Sequence, residues 1–169
     1  SGMFLLKRLD DALKSKDYIY ATIEGLGLSN DIGGNLMSPD SEGQLRAMHA
    51  AYKQAGWQPS EIDLIECHGT GTPIGDAVEF NSLKSLWGAD KNDQDCVIGS
   101  VKSNIGHLLT AAGSAAMLKV LLAMKHGKLP PTANFESAGK NIDLDNSPFT
   151  VLDSTKDWDR RDPKTPRKA

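Results

Sequence analysis

The sequence predicts an α/β fold, in which helices cover a sheet whose strands run mainly parallel. Three observations support this prediction. Along the 169 residues, short apolar runs typical of strands alternate with segments of helical periodicity. Two of these runs end in glycine-containing turns that lead directly into helices. The content of 39% hydrophobic and 24% charged residues is that of one soluble globular domain and excludes a disordered chain.

The first part of the chain is predicted to contain two strands and two helices separated by one long loop. In order, the predicted elements are strand 2–9, helix 9–16, strand 18–28, loop 29–43 and helix 42–55. The loop is rich in glycine, asparagine and proline, and loops of this length are commonly functional or mobile. Gly56 is a plausible C-terminal stop for the second helix.

The second part of the chain repeats the order strand, turn and helix. The predicted elements are strand 61–67, helix 76–87, strand 96–101, a helix from about Leu108 to His126 and strand 148–152. Asp76 and Glu79 have the spacing of a capping box at the start of their helix. The first turns of the last helix, AAGSAA, consist of small residues, so other elements can approach this helix closely.

Charge and hydropathy exclude several classes of function. The net charge of −3 gives no reason to expect a nucleic acid or an anionic membrane as partner. No secretory signal is visible, and the longest apolar run, 108–124, contains polar residues that predict a buried helix rather than a membrane span. Cys67 and Cys96 lack C-x-x-C spacing, which predicts reduced thiols and a cytosolic location. The basic residues near the C-terminus predict a solvated, loosely ordered tail: Arg160, Arg161, Lys164, Arg167 and Lys168.

Two turns carry the residues that are best suited to catalysis or ligand binding. The strand EIDLIEC leads to His68 in the turn HGTGT, and the strand CVIGSV leads to Lys102 and then His107 in KSNIGH. The carboxyl ends of parallel strands meet at one edge of a sheet, which is where α/β proteins usually bind ligands. We therefore expect His68 and His107 to converge.

The residue types in these turns suit the stabilisation of a developing negative charge. His107 is predicted to lie near a helix N-terminus, where the dipole favours a neutral imidazole that donates to an oxygen. Thr70 and Thr72 offer hydroxyls to the amides of an extended ligand. Gly69 and Gly71, which flank Thr70, permit unusual backbone geometry. Lys102 is expected to hold a histidine through a carboxylate or water, or to pair with Glu66 or Glu79.

Other interpretations of these residues are weaker. Histidines in turns are frequently structural, and His49 and His126 are interpreted as surface or packing residues. A metal site or an activated nucleophile built on His68 and Cys67 is disfavoured, because neighbouring strand residues point to opposite faces. A phosphate cradle is also disfavoured, because HGTGT has neither a P-loop lysine nor the G-x-G-x-x-G pattern.

Two motifs resemble those of β-ketoacyl synthases. ECHGTGTPIGDAVE, residues 66–79, resembles the E-A-H-G-T-G-T-x-x-G-D-x-x-E signature of that family, with Cys67 in place of the usual alanine. KSNIGHLLTAAGSAAMLK, residues 102–119, resembles the K-S-N-I-G-H motif and the helix after it. Ala116 stands where stand-alone enzymes typically carry a glutamate, so the chain is more similar to ketosynthase domains of type I polyketide and polyunsaturated fatty acid synthases.

The resemblance implies the C-terminal half of a thiolase-like fold, whose full architecture is α-β-α-β-α in two related halves. Residues 1–20 would belong to the last strand and helix of the N-terminal half, residues 21–158 would form the C-terminal half, and residues 159–169 would be a basic tail leading into missing closing strands. The implied reaction is the decarboxylative Claisen condensation of malonyl-acyl carrier protein with an acyl thioester.

The resemblance also implies roles for residues in both motifs. His68 and His107 would polarise the malonyl thioester carbonyl and stabilise the enolate, while Lys102 would organise the site. Thr70 and Thr72 would contact the phosphopantetheine arm of the acyl carrier protein, and no directly bound cofactor or metal is implied. Structural support would come from the remaining polar motif residues: Glu66, Asp76, Glu79 and Asn104.

The nucleophilic cysteine of the family is expected before Ser1, so the chain alone is expected to be inactive. The implied partners are acyl carrier protein, the missing N-terminal half and, in the parent synthase, a second copy in a homodimer. Loss of half a fold should leave exposed apolar surface and open sheet edges. The alternatives are a non-catalytic ketosynthase-like partner that shapes chain length, and a module that binds pantetheine or a carrier protein.

Overall fold

The computed structural model describes residues 2–33, 40–88 and 96–169. Within these ranges the helices are α1 (Leu9–Ser15), α2 (Ser41–Ala55), α3 (Pro73–Trp87), α4 (Lys102–Ile105) and α5 (Ala112–His126). The strands are β1 (Leu64–Glu66), β2 (Cys96–Gly99), β3 (Lys128–Leu129), β4 (Phe149–Thr150) and β5 (Lys156–Asp157). Short 3-10 helices cover Pro59–Glu61 and Leu109–Ala111.

The principal sheet is parallel, which confirms the predicted α/β class. Its order is β1-β2-β4, with Leu64 opposite Val97 and Cys96 opposite Phe149. Strands β3 and β5 form a separate antiparallel pair. The crossover from β1 to β2 contains α3, and the longer crossover from β2 to β4 contains α4 and α5. Both histidine turns consequently leave the carboxyl end of the parallel sheet.

Hydrophobic residues form one cluster on each face of the sheet, because alternate strand residues point to opposite faces. On the α3 face the buried residues are Ile62, Phe80, Leu83, Cys96 and Phe149. On the α5 face they are Leu64, Val97, Ala123, Leu129 and Trp158. Helix α2 packs outside α3, where Ser41 Oγ lies 2.7 Å from Ser82 Oγ. The sheet therefore lies between α3 and α5, with α2 as a further layer.

The predictions of strands at residues 2–9 and 18–28 are wrong. Residues 2–8 and 18–28 form no strand among the described residues, and Met3, Tyr18 and Leu28 are exposed. Residues 25–27 instead lie against α2, where a Cβ on Gly27 would be 1.7 Å from the carbonyl oxygen of Ala47. Alternating side chains predict a strand, but a strand needs a second strand to pair with, and the described residues offer none at this place.

Helix boundaries differ from the predictions by one to four residues. Helix α2 begins at Ser41, so the predicted loop 29–43 extended too far. Residues 34–39 of that loop, like residues 89–95, lie outside the described residues. Gly56 ends α2 with φ 68°, as predicted. Helix α3 begins at Pro73, and α5 begins only at Ala112 because Leu108 and Leu109 have φ of 60° and 46°.

Helix α5 is not fully buried, contrary to the prediction. Ala123 packs on the sheet, whereas Leu118 and Leu122 are 49% and 42% exposed. This face adds to the large exposed apolar surface that the resemblance leads us to expect. None of the helices within the described ranges combines the length and the apolar character needed to cross a membrane.

The C-terminal tail is packed, and the prediction of a loosely ordered tail is wrong. Arg161 Nη2 lies 2.8 Å from Asp63 Oδ1, and Lys168 Nζ lies 2.6 Å from Glu61 Oε1. The backbone N–H of Asp63 donates to the carbonyl of Lys168. Two of the five basic residues, Arg161 and Lys168, are therefore held by carboxylates that precede β1.

Candidate functional site

The two histidines meet at the carboxyl end of the parallel sheet, as expected from their positions in sequence. The imidazole centroids of His68 and His107 lie 5.6 Å apart, and the ring planes cross at 82°. His68 comes shortly after β1, which ends at Glu66, and His107 comes shortly after α4, which ends at Ile105. Two imidazoles at this separation can both form hydrogen bonds to one small group placed between them.

Carboxylates of α3 hold the turn that carries His68. Four successive backbone N–H groups of the turn donate to them, at distances between 2.6 and 3.2 Å. Those of His68 and Gly69 donate to the two oxygens of Glu79. Those of Thr70 and Gly71 donate to Asp76 Oδ1.

The predicted capping box is therefore wrong, because these two carboxylates bind the turn rather than the start of their own helix. The N-cap of α3 is Thr72, before the predicted helix start at Asp76. Since the N–H groups of the turn already bind carboxylates, they are not free to bind a phosphate. The hydroxyls of Thr70 and Thr72 lie 3.2 Å apart at the exposed rim of the turn.

The second turn contacts the first through the backbone carbonyl of His68. Lys102 Nζ donates to this oxygen at 2.6 Å, and Ser100 Oγ donates to it at 3.3 Å. Of the two alternatives for Lys102, the ion pair with Glu66 or Glu79 is not the one found, because its ammonium binds the carbonyl of His68. Lys102 thus holds this histidine directly rather than through a carboxylate or water. Ser100 was not among the predicted site residues, since a serine at a strand end carries no distinguishing sequence signal.

Glu66 binds two partners that were not predicted from the sequence. Its Oε1 accepts from the N–H of Val101 at 2.5 Å, and its Oε2 lies 2.7 Å from Lys119 Nζ of α5. The available signal was Lys119 itself, the one charged residue in the otherwise small and apolar stretch 108–124. Asn104 lies in α4, where its side chain accepts from Ser103 Oγ, so its contacts are local.

His107 lies two residues before a helical segment that starts with the 3-10 turn Leu109–Ala111 and continues as α5, which is near a helix N-terminus as predicted. It also follows the C-terminal end of α4, which ends at Ile105. Because Leu108 and Leu109 have positive φ, the first regular turn of α5 begins only at Ala112, and the helix dipole acts mainly within that turn.

Neither cysteine is suited to act as a nucleophile. Burial raises the pKa of the Cys67 thiol, and the nearby carboxylates of Glu79 and Glu66 raise it further. Burial raises the pKa of Cys96 to about 12. Cys67 lines a pocket of about 400 Å³ together with Phe80 of α3, and neither histidine lines this pocket.

We expect both thiols to react with iodoacetamide at neutral pH at least 100-fold more slowly than a free cysteine, because the thiolate is the reactive form. In denaturant both should react at the ordinary rate. A thiol whose pKa is raised on folding stabilises the folded state, and this contribution is fully present at pH values below the pKa of the thiol in the unfolded chain. It is lost as the pH rises from there through the raised pKa of the folded chain. Mass spectrometry of the alkylated peptides measures the rates; labelling of the native chain at the free-cysteine rate would contradict the raised thiol pKa values.

The described residues contain no candidate metal centre. Within residues 2–33, 40–88 and 96–169, no three histidine, cysteine, aspartate or glutamate side chains come together in a way that could hold a metal ion.

Comparison with known proteins gives concordant matches. Residues 20–136 match the family model described as Beta-ketoacyl synthase, C-terminal domain. The chain is 41% identical over 160 residues to a component of the phenolphthiocerol/phthiocerol polyketide synthase of Mycobacterium tuberculosis, covering 94% of the chain and 8% of that protein. It is 41% identical over 172 residues to polyketide synthase PksL of Bacillus subtilis, covering all of the chain and 4% of that protein.

Solved structures with the same fold agree with these matches. The ketosynthase from module 6 of the bacillaene synthase of Bacillus subtilis superposes with a TM-score of 0.86 at 39% identity, over 94% of this chain and 29% of that one. Ketosynthase twelve of the bacillaene polyketide synthase of Bacillus amyloliquefaciens gives a TM-score of 0.86 at 38% identity, over 92% and 28%. The chain thus spans less than a third of these ketosynthases and less than a tenth of the curated relatives.

Proposed function

This chain belongs to the β-ketoacyl synthase family, as a ketosynthase C-terminal domain of the polyketide synthase type with a thiolase-like α/β fold, and we propose that it supplies the enolate-stabilising histidines of a decarboxylative condensation. The observation that carries the proposal is the 5.6 Å separation of the His68 and His107 rings at the carboxyl end of the sheet. Two donors aimed at one oxygen stabilise charge that develops there during reaction.

The reaction proceeds through an enolate. The malonyl thioester loses carbon dioxide, and the electron pair of the broken C–C bond passes to the thioester carbonyl oxygen. N–H groups of His68 and His107 donate to that oxygen. The enolate carbon then attacks the carbonyl carbon of a second acyl thioester. The new C–C bond forms, and the thiol of that thioester leaves. The acylated cysteine of that second thioester is supplied from outside these residues, since the pKa values of the Cys67 and Cys96 thiols are raised.

The surrounding residues have positioning and binding roles in this proposal. Lys102 holds the carbonyl of His68, and the Glu79 and Asp76 carboxylates hold the turn behind it. The hydroxyls of Thr70 and Thr72 lie at the exposed rim, 3.2 Å from each other, where they can bind amides of a phosphopantetheine arm. Acyl carrier protein is the partner that brings this arm, and the expected cytosolic location stays a prediction.

The exposed apolar surface supports a partner half. Met3, Leu5 and Leu28 are 95%, 93% and 82% exposed, and α5 exposes Leu118 as well. Surfaces of this kind are rare on monomeric proteins and mark interaction sites. We propose that residues 21–158 form the C-terminal half, that residues 1–20 belong with the N-terminal half that covers this surface, and that residues 159–169 lead on to closing strands. A homodimer of the parent synthase belongs to the same proposal.

The test is to assay the chain alone and as part of a complete ketosynthase that contains it. The chain alone should form no condensed product, because neither of its thiols is suited to carry the acyl group, whereas the complete protein should release carbon dioxide from malonyl-carrier protein and form the product. Condensation by the chain alone that survives Cys67→Ala and Cys96→Ala would refute the proposal. A complete protein that binds carrier protein without releasing carbon dioxide would favour the non-catalytic partner or the carrier-protein-binding module.

A further inference from the structure

We propose that Glu66 and Lys119 form a buried charge pair, the charge lock, that sets the relative position of the two histidine turns, so that Lys119 is a positioning residue for the reaction proposed above. This inference rests on the proposed function where it concerns activity. Its geometric part, that the charge lock holds His68 near His107, is independent of the chemistry.

One carboxylate joins three elements. Glu66 is the last residue of β1 and shortly precedes His68. Its Oε1 accepts from the N–H of Val101 at 2.5 Å, and Val101 directly precedes α4 in the turn that carries His107. Its Oε2 lies 2.7 Å from Lys119 Nζ, near the middle of α5. Displacement of the Glu66 side chain would therefore change the position of both turns.

The charge lock is nearly closed to solvent. The side chains of Lys119 and Glu66 are 10% and 6% exposed. Glu66 Oε2 is buried, and its contact with Lys119 is a charge pair without hydrogen-bond geometry, so the ammonium is what balances this oxygen. A buried charge that loses its partner is strongly destabilising, so each side chain keeps the other in place.

The backbone beneath the charge lock leaves room for it. A Cβ on Gly99 would lie 2.7 Å from Thr132 Oγ1 and 3.5 Å from Lys119 Nζ. An alanine there would force Thr132 to move and would crowd the ammonium. Gly99→Ala therefore disturbs the charge lock while both of its charges remain in the protein.

The charge lock and Lys102 act on the same pair of turns from different sides. Lys102 Nζ, on α4, donates to the carbonyl of His68, and Glu66 accepts from the N–H of Val101, the residue before α4. Catalytic groups lose effectiveness when they are misplaced by about 1 Å. Loss of the charge lock should thus reduce the rate of the chemical step more than substrate binding.

The geometric part is tested by NMR on the chain, through the nuclear Overhauser contact between the imidazole protons of His68 and His107. We expect Lys119→Met and Glu66→Gln each to weaken this contact strongly. The double variant Glu66→Gln with Lys119→Met should fold, because no unpaired charge is buried and the glutamine still accepts from Val101, and its contact should be intermediate. Lys125→Met, which removes an exposed lysine of the same helix, should leave the contact unchanged.

Two outcomes would overturn the geometric part. One is a folded Lys119→Met variant with the wild-type histidine contact. If the single variants do not fold, the other is a folded double variant and a folded Gly99→Ala variant that both retain the wild-type contact. Near-UV circular dichroism establishes that each variant is folded.

The functional part is tested in a complete ketosynthase that carries this segment. Lys119→Met should lower kcat for malonyl decarboxylation about 30-fold or more, with KM changed less than about threefold. Acylation of the nucleophilic cysteine and the activity of Lys125→Met should be unchanged. A lost histidine contact with unchanged kcat would refute the proposed role of the histidines and leave the charge lock standing. A retained contact would refute the positioning role, whatever the activity.

Discussion

Replacement of His107 by alanine in a complete ketosynthase containing this segment is expected to lower malonyl decarboxylation by about 10²–10³-fold, the usual effect of losing one preorganised donor to a developing oxyanion. His68, whose ring centroid is 5.6 Å away, would remain as the second donor. His68→Ala should have an effect of the same order. The double variant should lose less than the product of the two, because the two groups act on one charge.

The measurement is the release of labelled carbon dioxide from malonyl-carrier protein at saturating substrate. Acylation of the nucleophilic cysteine, measured by mass spectrometry, should change little, since it precedes the formation of the enolate. His49→Ala is the matched control, because His49 is exposed on α2. Decarboxylation within a few-fold of wild type in His107→Ala would contradict the assignment.

Replacement of Glu79 by alanine is expected to lower the free energy of unfolding of the chain by about 3 kcal/mol, since two hydrogen bonds to a charged group are lost. Both carboxylate oxygens are used, one by the N–H of His68 at 2.6 Å and one by that of Gly69 at 2.8 Å. Glu79→Gln retains one acceptor oxygen and should lose about half as much. Urea denaturation followed by circular dichroism gives the values.

Asp76→Asn provides the contrast. Both hydrogen bonds to Asp76 end on Oδ1, so an asparagine can keep an oxygen at that position, and we expect a loss below about 1 kcal/mol. A Glu79→Ala variant as stable as wild type would show that the turn does not depend on this carboxylate. Equal losses in Glu79→Ala and Asp76→Asn would show that net charge, rather than hydrogen bonding, is responsible.

The sequence by itself determined the parts of this protein that depend on local pattern. Helical periodicity located α2 and α3, and the apolar runs located β1, β2 and β4 to within a few residues. The order strand, turn and helix was sufficient to place His68 and His107 at one edge of the sheet, because parallel strands have their carboxyl ends together. The two motifs likewise identified the family, which the match over residues 20–136 shows.

Tertiary structure decided which partners the polar residues take and which apolar segments are covered. Glu66 pairs with Lys119, 53 positions away in sequence (119 − 66), and Lys102 binds a carbonyl rather than a carboxylate. Residues 18–28 have the pattern of a strand but no neighbouring strand among the described residues; most of them are exposed, and residues 25–27 lie against α2. Pattern specifies which face of an element is apolar or charged. The partner of that face depends on contacts between residues that are distant in sequence, and these exist only once the chain is folded.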